Sequence, residues 1–328
     1  MESAAEAARR AAAGAKVAGA KTARPPVRSV GAAPVPRAHR SAGSVLRDYV
    51  ALTKPRIISL LLLTTVAAMF VADPAGPALS TVLWTVLGGY LAAGGAGAIN
   101  HYLERDADAR MARTRGRPLA SGRIEPVHGL IFGIALGALA IVELAVAVNV
   151  LAALLALAGL LGYALVYTLW LKPITPQNIV IGGAAGAVPP LVGWAAATGG
   201  LEVGALYLFG VVFLWTPPHF WALALLIKDD YARTGVPMLP VVRGEATTRR
   251  QILVYAIVLV AASLVPVAGG LLGAPYLIGA LALGASFTGL AAWLCVRPSR
   301  RAAVRVYLAS LAYLALLFTL MALDRAVW

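Results

Sequence analysis

Long apolar segments, separated by shorter polar stretches, follow one another from about residue 50 to the end of the chain. Each is continuous rather than alternating and reaches the ~20 residues that a helix needs to cross a bilayer. A membrane β-barrel would instead show alternating segments of ~10 residues. We therefore predict an all-α polytopic membrane protein with nine transmembrane helices, at about 50–71, 79–99, 127–147, 150–170, 178–197, 204–227, 251–271, 275–296 and 303–323.

The first 44 residues differ from the rest because they are rich in alanine, proline and glycine and show no sustained apolar face. This composition predicts a disordered basic cytoplasmic tail at 1–44 and a single transmembrane domain at 45–328. The tail lacks the continuous apolar core of a signal peptide. Its arginines also suit a mitochondrial transit peptide, which Glu2 and Glu6 argue against, so the mitochondrial inner membrane stays the alternative to the cell (inner) membrane.

Composition supports a bilayer environment, since 60% of the residues are hydrophobic and only 13% are charged. A soluble domain of this length could not bury so many apolar side chains. The net charge of +14 invites a nucleic-acid role, but membrane topology explains the charge better, and we expect no nucleic-acid partner. The single cysteine, Cys295, lies in an apolar segment and cannot form an intramolecular disulfide.

With the single exception of Arg325, which follows the last segment, basic residues lie on one side of the alternating connections. The connections at 72–78, 198–203 and 272–275 and the link near Asn149 contain no lysine or arginine. The other connections are strongly basic, with Arg105, Arg110, Arg113, Arg115, Arg117, Arg123, Lys172, Lys228, Arg233, Arg243, Arg249, Arg250, Arg297, Arg300, Arg301 and Arg305. Because cytoplasmic loops carry the excess of lysine and arginine, nine crossings predict a cytoplasmic N-terminus and an external C-terminus.

Oxygen-bearing side chains recur at the end of the second apolar segment. Asn100, Glu104 and Asp108 are spaced four residues apart and so share one face if the helix continues, with Asp106 on the opposite side. Carboxylates together with phosphate oxygens suit Mg²⁺. The alternative is a solvated helix end whose acids are offset by neighbouring arginines.

A second acidic cluster, Asp229 and Asp230, follows the sixth apolar segment on the same side of the membrane. Two such clusters can hold metal ions against a diphosphate from both sides, while basic groups neutralise the charge of the leaving group. The candidate bases are Lys54, Arg117 and Lys172.

His219 lies eleven residues before Asp230, close to three helical turns, within the sequence Trp-Thr-Pro-Pro-His-Phe-Trp. A continuous helix would place it on the Asp230 face, ~16 Å deeper in the membrane. An ionisable group at that depth indicates function. The alternative is a neutral histidine that bonds a carbonyl freed by Pro217 and Pro218.

Several long stretches together resemble the UbiA superfamily of intramembrane prenyltransferases, and within it the branch that farnesylates haem. They are 52–56, the Asn-x-x-x-acid-x-x-x-Asp motif at 100–108, 111–114, 117–122, 167–172, 175–184, 215–221, 230–231 and 235–240. The resemblance runs from about residue 50 to 244 and excludes the tail. Glu104 departs from the pattern, because the superfamily usually has aspartate there.

The resemblance implies nine helices around a central cavity open to the cytoplasmic side, and transfer of farnesyl from farnesyl diphosphate to the vinyl group of haem B, giving haem O and diphosphate. It implies Mg²⁺ held by Asn100, Glu104, Asp108 and Asp230, with Lys172 and Arg117 also catalytic. A further set is implied to bind substrates: Lys54, Arg105, Arg113, Asn178, His219, Trp215 and Tyr231. Expected partners are the lipid bilayer and a downstream haem A synthase or oxidase assembly.

Two other functions remain open at this point. A prenyltransferase of the same superfamily acting on a quinone or chlorophyll precursor would share the metal motifs. A transporter would bury charges near the bilayer midplane, whereas here the acids and bases lie at helix ends and only His219 lies deep.

The charge pattern yields a prediction of orientation. A reporter enzyme that works only outside the cytoplasm, fused after Trp328, should be active, because an odd number of crossings separates the two termini. The same reporter fused after Arg123, in a basic connection, is the control and should be silent. The reverse pattern would refute the orientation.

Overall fold

The structure, a computed structural model, describes residues 41–327. Over this range all regular structure is helical, without a strand, and nine helices are long and apolar enough to cross a membrane. The predicted all-α fold with nine spanning helices is therefore confirmed for the described residues.

Twelve helices account for the described chain. Three are short and do not span: α1 (Ala42–Thr53), α8 (Lys228–Thr234) and α9 (Leu239–Val242). The nine spanning helices are α2 (Pro55–Ala72), α3 (Leu79–Arg110), α4 (Pro126–Ala147), α5 (Val150–Ile174), α6 (Asn178–Thr198), α7 (Val203–Leu226), α10 (Gly244–Ala268), α11 (Ala274–Val296) and α12 (Arg300–Val327). Helix α5 contains a π-helical stretch, Gly162–Leu171, and α6 is interrupted at Ala187.

The chain breaks at Lys54, inside the first predicted apolar segment. Lys54 adopts a left-handed conformation with φ 57° and ψ 54°. Proline disfavours helical geometry in the residue before it, and Pro55 therefore separates α1 from α2. The first crossing starts at residue 55 rather than 50. Residues 42–44, which we assigned to the tail, belong to α1, and the tail prediction for residues 1–40 lies outside the described part.

Helix α1 is attached to the bundle at its polar and apolar faces. The buried Asp48 carboxylate accepts a hydrogen bond from Arg123 Nε at 3.1 Å. Leu52 is fully buried, and Thr53 lies against Gly94 of α3. These contacts hold the end of α1, and hence Lys54, against α3.

The extended helix at the first acidic motif is confirmed. Helix α3 runs without interruption to Arg110, so Asn100, Glu104 and Asp108 share one face. The exposed fractions of the side chains agree, since Asp108 is 4% exposed and Asp106, on the other side, is 82% exposed.

The continuous helix that we expected from His219 to Asp230 is wrong. Helix α7 ends at Leu226, and Ile227 leaves the helical conformation with φ −126° and ψ 23°. A new helix, α8, then begins with Asp229 and Asp230 in its first turn, where the helix dipole favours negative charge. His219 and Asp230 therefore do not lie on one continuous helix, and a depth and direction calculated from such a helix do not apply to them.

Glycines allow the spanning helices to approach closely. A Cβ atom added to Gly95 of α3 would lie 2.7 Å from the carbonyl oxygen of Gly133 in α4. One added to Gly193 of α6 would lie 2.1 Å from the carbonyl oxygen of Thr65 in α2. Both neighbours are backbone atoms, so the side chain at each position has to be absent for these helices to pack as they do.

Gly193→Ala should therefore destabilise the protein by about 1–3 kcal/mol, because the backbone of α2 must move away to admit the methyl group. Gly210→Ala in α7 is the matched control, since no atom lies within 4 Å of its added Cβ. We expect the control to keep or slightly raise stability. Thermal unfolding in detergent measures both, and equal midpoints would contradict the packing argument.

Candidate active site

Three polar pairs cluster where α3 and α5 meet the end of α1. The first joins Lys54 to Asn100, with the Nζ donating to Oδ1 at 2.6 Å. Asn100 Nδ2 in turn donates to Thr168 Oγ1 of α5 at 3.1 Å. The amide is thus fixed on both sides, between the start of the first crossing and the π-helical stretch.

The two acids of the motif each pair with a base. Glu104 accepts a hydrogen bond from Lys172, at the end of α5. Asp108 accepts two bonds from a single guanidinium nitrogen of Arg117, at 3.0 Å and 2.7 Å. The loop after α3 folds back to bring Arg117 there, and Thr114 assists by donating to the Asp108 carbonyl at 3.0 Å. One cluster therefore contains three basic side chains, Lys54, Lys172 and Arg117, each paired with an oxygen-bearing side chain, Asn100, Glu104 or Asp108. These three oxygen-bearing groups are called the oxygen donors below, because each could donate an electron pair to a metal ion.

This cluster is poorly solvated. As whole residues, Asn100 and Asp108 are 2% and 3% exposed. Burial, reinforced by the nearby positive charge of Arg117, lowers the pKa of Lys54 to about 7. The site therefore disfavours the charged form of Lys54, and an additional anion bound beside it would stabilise that charge.

The π-helical stretch of α5 aligns the residues that face the cluster. A π-turn closes its hydrogen bonds from residue i to i+5, so Lys172, five residues after Tyr167, returns to about the same side. In an α-helix a five-residue step would turn the side chain ~140° away. Tyr163 and Thr168 lie on this side too, and Thr168 Oγ1 donates to the Tyr163 carbonyl at 2.8 Å.

The second acidic cluster approaches the first through Tyr231 of α8. Burial raises the pKa of Tyr231, and the positive charges of Lys172 and Arg113 oppose that rise. The phenol therefore lies within the field of these cations. Asp230 is buried, and its carboxylate accepts a hydrogen bond from Arg233 of the same helix.

The predicted metal ligands are not gathered around one point. Over residues 41–327, no three carboxylate, histidine or cysteine side chains form a group able to hold a metal ion. Unlike charges attract strongly where water is scarce, so Glu104, Asp108 and Asp230 each pair with a base instead. Their chemistry still suits Mg²⁺, since Asn100, Glu104 and Asp108 present hard oxygen donors on one helix face. The shared metal site remains a prediction.

Two side chains that we predicted to bind substrate, Arg105 and Asn178, form hydrogen bonds within the protein. Arg105 donates to the carbonyl of Tyr102 at 2.8 Å and stacks on the Tyr102 ring. Asn178 Nδ2 donates to the Thr175 carbonyl at 2.5 Å, while its Oδ1 is buried without a hydrogen-bond partner. Asn178 therefore has a free acceptor for a ligand, and the contacts of Arg105 lie within α3, with Tyr102 and Asp106.

His219 lies in a separate aromatic cluster between α7 and α12. Its ring stacks on Trp215, with centroids 4.3 Å apart, and on Tyr307, with centroids 4.9 Å apart. His219 Nδ1 is 2.7 Å from Ser310 Oγ, which itself donates to the Tyr307 carbonyl. With the Ser310 hydroxyl donating to that carbonyl, Nδ1 takes the donor role towards Ser310, which leaves Nε2 with the lone pair. The Trp215 ring packs on the His219 ring. Contact of His219 with haem, as an iron ligand through Nε2 or as a polar group beside the porphyrin, remains a prediction.

Sequence reasoning assigned no role to Tyr163 and Thr168. Both lie in the fourth apolar segment, where their hydroxyl groups stand among aliphatic residues. That contrast was the available signal, since polar groups at membrane depth usually contact one another or a ligand. The alignment of Tyr163 and Thr168 with Lys172 could not be predicted from the sequence, because it depends on the π-helical turn.

Comparison with known proteins identifies related chains. The model of the UbiA prenyltransferase family matches residues 61–319. A protein of Roseiflexus sp. (strain RS-1) named protoheme IX farnesyltransferase is 54% identical over 285 residues, which are 87% of this chain and 53% of that protein. A protein of Symbiobacterium thermophilum with the same name is 53% identical over 285 residues, 86% of this chain and 95% of that one. The chain thus spans about half the length of the Roseiflexus relative.

Solved structures share the fold at low sequence identity. A digeranylgeranylglyceryl phosphate synthase superimposes with a TM-score of 0.71 at 18% identity, covering 87% of this chain and 100% of that one. A UbiA homologue from Archaeoglobus fulgidus, bound to DMAPP and Mg²⁺, gives a TM-score of 0.57 at 15% identity, covering 84% and 99%. At these identities the likeness concerns the fold.

Proposed function

The chain belongs to the UbiA prenyltransferase family and is a multi-pass membrane protein, and we propose that it transfers a farnesyl group from farnesyl diphosphate to the vinyl group of haem B. The products are haem O and diphosphate. The names of the relatives from Roseiflexus and Symbiobacterium support haem as the acceptor.

One observation carries this proposal: three bases and three oxygen donors meet at one buried end of the helix bundle. Lys54, Lys172 and Arg117 supply positive charge where a diphosphate would need it. Reaction requires the carbon–oxygen bond to break with both electrons leaving on the diphosphate. Preorganised cations at the leaving oxygens stabilise that charge as it develops, and they do so most effectively where water is excluded.

The oxygen donors fit a magnesium cofactor. Asn100, Glu104 and Asp108 would hold Mg²⁺ from α3, and Asp230 would contribute from α8. When bound, Mg²⁺ would neutralise charge on the diphosphate oxygens. The structures of the homologue from Archaeoglobus fulgidus with Mg²⁺ and DMAPP or GPP support the use of this metal ion.

Rearrangement of the ion pairs would accompany substrate binding. Lys172 and Arg117 exchange a carboxylate for phosphate oxygens, and the acids that they release become available as metal ligands. Arg117 suits this exchange because its guanidinium group stays charged and can face several oxygens at once. The cluster thereby remains neutralised before and after the substrate enters.

An apolar groove provides a path for the farnesyl chain. It has a volume of about 380 Å³ and lies between α2 and α12, lined from Ser59 to Phe70 on one side and from Thr319 to Leu323 on the other. Its polar end, at Ser59, is five residues beyond Lys54. We place the diphosphate at Lys54 and the isoprenoid tail toward this groove.

We further propose that the protein lies in the cell membrane with its N-terminus and the charged cluster on the cytoplasmic side. The bacterial origin of the relatives supports this membrane. The charged cluster lies at the ends of helices whose connections are basic, as expected on the cytoplasmic side. The product would pass to a haem A synthase or an oxidase assembly.

Membranes containing the protein should convert haem B and labelled farnesyl diphosphate into labelled haem O when Mg²⁺ is present. Parallel incubations with a quinone precursor and with a chlorophyll precursor serve as acceptor controls. Chromatography with mass detection identifies the product. Prenylation of either control acceptor in place of haem would overturn the proposed substrate and leave the family intact.

Asp108→Ala and Asp230→Ala should each lower turnover by ~10²-fold or more, because both carboxylates are proposed to act through the transferred diphosphate. Asp106→Ala is the matched control on the same helix, since its side chain is 82% exposed. Glu104→Asp should keep activity, because it restores the usual family residue. Normal turnover in a folded Asp108 or Asp230 variant would remove that residue from the site.

His219→Ala should weaken haem binding by at least ~10-fold and change the haem absorption spectrum, because the Nε2 lone pair is a suitable iron ligand. His101→Ala serves as comparison, and His128→Ala is an exposed control. Titration of haem into detergent-solubilised variants measures both effects. A His219 variant with wild-type affinity, spectrum and turnover would leave His219 a packing residue of the aromatic cluster.

A further inference from the structure

Two tyrosine rings of the π-helical stretch stand between the bases of the cluster. Tyr163 and Tyr167 stack with centroids 5.6 Å apart and an angle of 24° between planes. Lys54 Nζ lies 5.8 Å from the centroid of Tyr163, and Lys172 Nζ lies 5.9 Å from that of Tyr167. Both distances are within the ~6 Å over which a ring face attracts a cation. Each ring therefore already faces positive charge.

The rings are held in place by their surroundings. Tyr167 is buried, and a Cβ atom added to Gly182 would lie only 2.3 Å from its ring, so α6 closes over it. The carbonyl of Tyr163 accepts from Thr168, which also accepts from Asn100. Lys54 Nζ additionally lies 3.5 Å from the Tyr163 hydroxyl. Hydrogen bonds through Thr168 and Lys54 therefore link the tyrosine pair to Asn100 of α3.

The reaction needs a stabiliser that the polar pairs do not supply. When the carbon–oxygen bond of farnesyl diphosphate breaks, its electron pair leaves with the diphosphate and an allylic cation remains. A free carboxylate beside that cation would trap it as an ester. Glu104 and Asp108, which pair with bases in the structure, would be engaged as metal ligands once substrate is bound. The faces of the tyrosine rings offer negative electrostatic potential instead.

We propose that Tyr163 and Tyr167 stabilise the allylic cation during farnesyl transfer, an inference that rests on the proposed function. Lys54 and Lys172 would hold the departing diphosphate, so the cation forms beside the two ring faces that those lysines approach. The terminal vinyl carbon of haem then bonds to the allylic carbon, and the positive charge moves to the vinyl carbon next to the macrocycle. Water bonds there through its oxygen, and its proton passes to the released diphosphate.

A series of fluorinated rings tests this role. Fluorine withdraws electron density from the ring face while keeping its shape, so phenylalanine, 4-fluoro-, 3,5-difluoro- and 3,4,5-trifluorophenylalanine are placed in turn at position 163 or 167. We expect kcat to fall stepwise, roughly 2- to 30-fold across the series. The KM for farnesyl diphosphate should stay constant, because the bound substrate carries no cation. The same series at Phe287, a buried ring packed on Tyr313, should leave kcat unchanged.

A binding measurement covers the case in which the phenylalanine variants are inactive. The affinity for a farnesyl ammonium ion, measured with Mg²⁺ and diphosphate present, is divided by that for neutral farnesol. Tyr163→Leu and Tyr167→Leu should lower this ratio, whereas Phe287→Leu should not. A flat fluorination series together with an unchanged ratio would overturn the inference. If the wild type forms no haem O at all, the proposed function fails instead.

Discussion

Charged side chains can lie at membrane depth only when opposite charges or hydrogen-bonding groups meet them, and this constraint organises one end of the helix bundle. Lys54 meets Asn100, Lys172 meets Glu104, and the loop after α3 folds back for Asp108. Removing one member of a buried pair typically costs about 3–5 kcal/mol, because a charge is left without a partner. The pairs therefore tie α1, α3 and α5 together where the apolar surfaces of the helices end.

The backbone leaves regular α-helical geometry mainly around this cluster. Lys54 takes a left-handed conformation, α5 widens into a π-helix at Gly162–Leu171, and the chain breaks at Ile227 before α8. A left-handed non-glycine residue costs of order 1–3 kcal/mol and persists only where its surroundings enforce it. Here Pro55, which follows Lys54, and the Lys54–Asn100 hydrogen bond are those surroundings. Strain and polarity thus concentrate in the region proposed to bind the diphosphate, while the glycine contacts at Gly95 and Gly193 keep the rest of the bundle closely packed.

In the proposed reaction the cluster has to stabilise two opposite charges that develop together as the carbon–oxygen bond breaks. The bases and the magnesium ion would oppose the negative charge of the departing diphosphate. The faces of Tyr163 and Tyr167 would oppose the positive charge of the farnesyl cation that it leaves behind. Because Lys54 and Lys172 contact both the oxygen donors and these rings, the two stabilising elements are adjacent. The aromatic cluster of His219 is separate from the polar pairs, and its proposed role is to bind haem.

The nine crossings and the shared face of Asn100, Glu104 and Asp108 could be predicted from the sequence, because both follow from local physics: the thickness of a bilayer and the period of one helix. Which base pairs with which oxygen-bearing side chain could be seen only in the folded protein. Lys54 and Asn100 are 46 residues apart in the chain, and Glu104 and Lys172 are 68 apart. The break at Ile227 and the π-helical turn likewise escaped the sequence pattern, since hydrophobic periodicity records burial and not a change in helical pitch. Such features arise from contacts between distant segments, which no single stretch of sequence encodes.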